Sequence, residues 1–363
     1  MPVQNDPELL HERMHFEAIG GSDTPIVGPE HPDARDIHGG FEGGRVVKLD
    51  GTYHWFPTER FGQPGQPRTY DRIKTRIAHW TSPDAAHWRR VGTLYESTGA
   101  YSQIQRDVDD NDQRGALWAF MPVFDDSDGR WHGFYVCYTC ILHFGAILSL
   151  GRIMHAVSNQ PGREGIGGPY EDVGYILAHG DPDAQGWEGK QAVDSFFPYR
   201  VGDRWLGFYG GAFEDGVTGE NFRTTGRWLV GLAEATAIGG PWKRLPEGEV
   251  NPVTSLHPRF IENPIVSRLP DGTYLLLSDG GPDFVGLTNQ VCYAWSQDGF
   301  NWSPVRHIPF EPAIAKWWRT MRTPLCVIPE GGDEYTMLFT AVIDQERFFP
   351  LGRVRLRLVG REC

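Results

Sequence analysis

Phe260-Ile261-Glu262-Asn263-Pro264-Ile265-Val266-Ser267-Arg268-Leu269-Pro270-Asp271-Gly272-Thr273-Tyr274-Leu275-Leu276-Leu277 decides how the chain is read. A carboxylate heads a short apolar run, Pro270-Asp271-Gly272-Thr273 signals a turn, and an apolar run led by an aromatic returns. Two such runs around such a turn form a β-hairpin, because Asp and Gly accept the backbone angles of a tight reversal. Alone, Glu262 is a surface acid beside a turn. Repetition gives it weight.

Four more stretches share the pattern. They are Glu42 to Phe56 turning at Asp50-Gly51, Phe120 to Tyr135 turning at Asp128-Gly129, Asp194 to Tyr209 turning at Gly202-Asp203, and Arg322 to Phe339 turning at Gly331-Gly332. From the head to the aromatic after the turn is 11 residues for heads 42, 120 and 194, 12 for 262 and 13 for 322. Two further strand-like runs follow each hairpin, and Ile77–Trp88 and Val291–Trp302 are near copies. Units of about four strands that cannot bury both faces alone stack around an axis. The pattern predicts an all-β fold, a five-bladed β-propeller with four-stranded antiparallel blades around a central channel, formed by residues 1–363 as a single domain. The alternating run Val354–Val359 reads as a strand, and a strand from one end of the chain is expected to complete a blade made by the other end.

Composition agrees. The 363 residues include 45 Gly, 27 Pro and 13 Trp, which suits short strands joined by turns. The net charge of −13 argues against nucleic acid, since phosphate contacts need a basic surface. An acidic, Trp-rich chain suits an uncharged polar ligand that stacks on aromatic faces, so a carbohydrate is the expected partner. No apolar run reaches membrane-spanning length and Met1–Gly21 is polar, so no membrane association and a cytoplasmic location are expected. Five scattered Cys give no disulfide framework. Cys137-Tyr138-Thr139-Cys140 lies in a strand-like run and reads as buried thiols rather than half a zinc site. Asp107-Val108-Asp109-Asp110-Asn111-Asp112 lacks the Gly and closing Glu of a calcium loop and reads as solvated. No metal site and no cofactor are expected from the residues.

In a propeller the innermost strand of each blade starts near the axis, so the heads Glu42, Phe120, Asp194, Glu262 and Arg322 converge. Three carboxylates and a guanidinium at one end of a channel suit glycoside cleavage. One carboxylic acid protonates the leaving oxygen, a second carboxylate activates water or attacks the sugar, and a third raises the acid's pKa by repulsion. Asp36 and His38 in Asp36-Ile37-His38-Gly39-Gly40, His257, and Trp118, Trp317 and Trp318 before inner strands are candidate substrate contacts, as are Phe120 and Arg322. Each has a structural alternative: a loop histidine with its bonds satisfied, a core tryptophan, or an arginine that holds a carboxylate.

These heads resemble the five-bladed propeller glycoside hydrolases, family 43 and more distantly families 32, 68, 117 and 130. Glu262-Asn263-Pro264 resembles the Glu-Gly-Pro motif that carries the general acid in family 43, with one change, and Asp194-Ser195-Phe196-Phe197 resembles the blade-three segment that tunes it. The resemblance implies catalytic roles for Glu262 as acid, Asp194 as pKa modulator and substrate anchor, and a blade-one base. The family's Asp-Pro is replaced here by Glu42-Gly43, which leaves Glu42 or Asp36 as base. It implies hydrolysis of a short glycan, a furanoside among them; the long polar loops at 98–116, 160–190 and 211–226 suit exo-fashion binding, since they could wall off one end of a groove. A calcium ion in the central channel is known in such relatives and comes with the resemblance alone. Family 130 relatives are phosphorylases, and Arg259, Arg319 and Arg322 are the basic residues such an activity would use. A sugar-binding propeller without catalysis is the third reading.

Overall fold

The computed structural model describes residues 13–62, 73–99, 112–139, 149–189, 191–213, 227–257, 260–281, 290–343 and 348–360. Cys140, Asp107 to Asn111 and Arg259 lie outside them. The described chain forms five antiparallel sheets arranged as the blades of a propeller, with three short 3₁₀ turns between strands. No described helix is long and apolar enough to cross a membrane.

Blade one breaks its inner two strands. Ile37–Glu42 and Val46–Leu49 form the inner strand, Thr58–Phe61 and Thr52–Trp55 pair with them, and Lys74–Ser82 then Arg89–Glu96 complete the sheet. Blade two runs Ala116–Asp125, Arg130–Thr139, Ser149–Ser158 and Tyr170–Ala178 outward. Blade three runs Val193–Val201, Arg204–Phe213, Arg227–Ala235 and Lys243–Arg244, and blade four runs Ile261–Arg268, Tyr274–Gly280, Gln290–Ser296 and Arg306–His307. Blade five takes Thr320–Gly331, Glu334–Val342 and Leu351–Val359 from the C-terminal part of the chain, and His15–Gly21 pairs with the last of these as its outer strand. A strand from one end thus completes the other end's blade, and it is the N-terminal one.

The apolar core lies between neighbouring blades. Phe41, Trp55 and Trp80 of blade one pack with Leu325, Leu338 and Leu351 of blade five. Phe56 and Ile77 pack with Leu117, Phe120 and Tyr135 at the first joint. Two joints carry the same polar inset. In blade one His54 stacks on His79 with 3.0 Å between ring nitrogens, and Phe56 stacks on His79. In blade two His132 stacks on His155 at 2.8 Å, and Phe134 stacks on His155. Each pair meets a glycine from the next blade: a Cβ at Gly167 would stand 3.2 Å from His79, and one at Gly239 would stand 3.5 Å from His155.

Every inner strand is bulged near its head. The register shifts fall between Ile37 and Gly40, Trp118 and Met121, Asp194 and Phe196, Glu262 and Ile265, and Met321 and Thr323. Gly40, Ala119, Ser195 and Asn263 take φ of 76°, 56°, 31° and 51° at these points. Bulges re-aim side chains, and they are frequent beside functional sites. The bulges also correct the register of the sequence alignment. Asp194 and Glu262 are equivalent, each just before its bulge, but the blade-two residue at that level is Trp118, not Phe120. Counting back from the aromatic after the turn misjudged inner strands of unequal length.

Candidate active site

Glu262 and Asp194 sit where the bulges turn the inner strands of blades four and three, and both are buried. Arg322 occupies the bulge of blade five and reaches the two blades that flank it. Its Nη1 donates to Glu262 Oε2 at 2.8 Å and to Asp279 Oδ2, and its Nη2 donates to Glu42 Oε1 at 2.5 Å. Arg60 of blade one stands 3.8 Å from Glu42 Oε2, with its guanidinium over the Phe349 ring. The Glu42 side chain is 16% exposed, Glu262 6% and Asp279 2%, so Glu42 has the freest access to solvent of the three. Asp194 accepts the Ser195 backbone N–H at 2.6 Å and the Tyr138 hydroxyl, which in turn accepts from Gln191 at 3.2 Å.

Gly40 makes this placement of Glu42 feasible. Its φ of 76° suits glycine, and a Cβ there would stand 2.2 Å from the Phe349 nitrogen. The chain therefore passes Phe349 closely before presenting Glu42 to Arg322.

Asp279 was not anticipated from sequence. It lies on the second strand of blade four, directly across from Glu262. The signal was an acid inside the apolar return strand Tyr274–Gly280, where a buried carboxylate needs a partner.

Four carboxyls thus crowd two guanidiniums, and their acidities follow. Burial, then the charge of Glu262, pushes Asp194 up to about 7. Burial raises Glu262, with Glu42 adding to it and Arg322 opposing it. Burial and the neighbouring Glu262 hold Asp279 well above the usual carboxylate range. A raised carboxyl keeps its proton to higher pH, which suits an acid catalyst.

Three polar atoms in the same place lack a partner among the described residues: Ser195 Oγ, Arg322 Nε and Thr323 Oγ1. Buried polar groups are usually satisfied, so these suit water or ligand oxygens.

The other sequence candidates have contacts of their own. Asp36 accepts from Arg76 at 2.7 Å, and Arg76 also pairs with the buried Glu59, which accepts from Arg90 at 2.9 Å. That ion-pair network commits Asp36 to blade one and leaves Glu42 as the blade-one acid on Arg322. Phe120 is a correction. It is fully buried against Phe56, Tyr95, Tyr135 and Tyr170, and its ring fills the space beside Gly133. Trp318 packs edge-on to Phe310, Trp317 and Phe339 in the blade-five joint, and Trp118 is buried in the main core. His38 is buried beside Gly62, and His257 accepts the Phe260 backbone N–H at 3.0 Å, fixing the start of blade four's inner strand. Packing thus outweighs ligand contact for the aromatics. A cleft of about 420 Å³ lined by Tyr199, Arg200, Val266 and Arg268 lies at the other end of the same strands, away from the carboxylates.

Arg45 bears on the calcium ion that the resemblance brings with it. From blade one it donates to the Pro122 carbonyl of blade two at 2.7 Å and lies over Phe197 of blade three. Only the axis touches those three blades at once, and a guanidinium there opposes a divalent cation. The His/Asp/Glu group spaced for a metal among the described residues, Asp125, Asp128 and His132, belongs to the blade-two hairpin turn.

No family model matches the chain, and no curated protein matches it in sequence. Solved structures do. The complex of BT0996 with RGII is similar at a TM-score of 0.65 with 15% identity, over 98% of this protein and 96% of that one. Zg3597, a family 117 glycoside hydrolase from the marine bacterium Zobellia galactanivorans, is similar at 0.58 with 15% identity, over 98% and 92%. An α-L-arabinofuranosidase from Podospora anserina, in complex with cellotriose, is similar at 0.56 with 13% identity, over 92% and 95%. The fold is that of the five-bladed propeller glycoside hydrolases.

Proposed function

We propose that the chain is a glycoside hydrolase acting on a short glycan, with a furanoside as the first class to test. The observation that carries this reading is the convergence of Glu42, Glu262 and Asp279 on the one guanidinium of Arg322, with Asp194 close enough to feel the charge of Glu262. Glu262, buried and raised in pKa, gives its proton to the glycosidic oxygen as the bond to the anomeric carbon breaks. Glu42, more exposed and held by Arg322 and Arg60, takes the proton of the attacking water or attacks the anomeric carbon itself. Asp194, itself raised by burial and the charge of Glu262, repels a second carboxylate there and anchors sugar hydroxyls, with Ser195 Oγ beside it. The likeness in fold to an arabinofuranosidase and to a family 117 hydrolase supports the substrate class. Arg322 directs both terminal nitrogens at carboxylates, which disfavours its use as a phosphate clamp in a phosphorylase.

A panel of aryl furanosides and pyranosides tests the reading, with the product anomer followed by NMR and phosphate left out. Turnover without phosphate that falls about 10²–10⁴-fold in Glu262→Gln supports it. Tight sugar binding with no cleavage by the parent chain would leave a binding protein instead.

A further inference from the structure

Glu262 faces Asp279 across the first two strands of blade four, and nothing in the reaction just described uses Asp279. At 2% exposure its side chain cannot meet substrate. It nonetheless takes two polar contacts: Arg322 Nη1 donates to Oδ2, and Asn263 Nδ2 donates to Oδ1 at 3.2 Å. One nitrogen, Arg322 Nη1, is shared between Glu262 and Asp279, so a single positive charge serves two adjacent buried carboxyls, an arrangement that favours one retained proton.

We propose that Glu262 and Asp279 form a carboxyl dyad that holds one proton between them, with Asp279 a positioning residue that keeps the proton donor loaded. This rests on the glycosidase reading for its role in turnover. When Glu262 gives its proton to the leaving group, both members become carboxylates, buried and adjacent. Their repulsion favours return of a proton to the pair, taken from the attacking water of the second step when Glu42 is the nucleophile and from solvent when Glu42 is the base. The groups facing the dyad are Arg322 from blade five, Glu42 from blade one, Asp194 from blade three, Tyr138 from blade two and Cys292 from the third strand of blade four. Arg322 is the cation among them, so it sets how much negative charge the pair can carry. Burial raises both members, in keeping with a retained proton.

The test uses the full chain with ¹³C-labelled carboxyls, titrated by NMR, beside the pH–rate profile. In the parent, a resonance at the protonated carboxyl position persists at pH 7. In Asp279→Asn, Glu262 moves to the carboxylate position and the alkaline limb of the rate profile shifts down by at least one pH unit, with KM changed less than twofold. An unchanged spectrum and profile in Asp279→Asn overturn the dyad. So does a parent whose Glu262 and Asp279 are both ionised at pH 7, a result that needs no variant to fold. If the parent cleaves no glycoside, the functional reading fails and the titration still decides whether the proton is shared.

Discussion

Arg322 and Glu42 are 280 residues apart and meet at 2.5 Å, across the seam where blade five closes against blade one. The same guanidinium holds Glu262 and Asp279 of blade four. One side chain therefore assembles acids from two blades that flank its own.

Arg322→Met is expected to destabilise the fold by about 3–5 kcal/mol at pH 8, because it leaves buried carboxylates without their cation. Asp194, Glu262 and Asp279 all have raised pKa values, so the loss shrinks as pH falls and these groups protonate. Urea unfolding at pH 5 and pH 8 measures it. An equal loss at both values would mean that Arg322 acts through packing.

Asp194→Asn removes a negative charge that helps Glu262 keep its proton. Burial and the charge of Glu262 raise Asp194 to about 7, so the two carboxyls repel each other when both are ionised, and the variant lacks that repulsion. The alkaline limb of kcat/KM is expected to move to lower pH. A limb that stays in place, with only KM raised, would reduce Asp194 to a sugar contact.

The stacked histidine pairs set an acid limit on stability. Burial and the neighbouring ring lower His79 and His155 to about 4. In the unfolded chain a histidine titrates near pH 6.5. The unfolded state therefore binds more protons between those values, and stability falls as pH drops through that window, by on the order of 3 kcal/mol per histidine. His79→Phe and His155→Phe are expected to flatten the acid side of a melting-temperature profile while leaving pH 8 nearly unchanged. A parallel downward shift at every pH would point to lost packing instead.

Gly40→Ala is expected to cost more than about 2 kcal/mol, adding a clash to left-handed strain. Gly51→Ala is the control. Its φ is 81°, and a Cβ there meets nothing within 4 Å. Its cost is expected to stay near about 1 kcal/mol. Denaturant midpoints of the two variants measure the difference, and equal costs would show that Phe349 yields to the new methyl group.

Much of this was legible in sequence. Turn residues follow local rules, so the five hairpins and the pairing of Asp194 with Glu262 at one level could be read directly. Strand length and bulge position follow from cross-strand contacts, so the level of Phe120 could not, and Trp118 took its place. The same limit hid Asp279, whose importance comes from standing opposite Glu262 rather than from any local motif. The choice between Glu42 and Asp36 turned on Arg76, a partner 40 residues further along the chain whose pairing only the fold brings about.

The N-terminal strand His15–Gly21 is made first and seats last, against Leu351–Val359. On a ribosome, Glu42, Asp194, Glu262 and Asp279 all emerge before Arg322 does. A nascent chain of four blades carries the acids without Arg322 to draw them together. Assembly of the acid cluster and completion of the ring therefore coincide, and a chain truncated before blade five is expected to be inert rather than partly active.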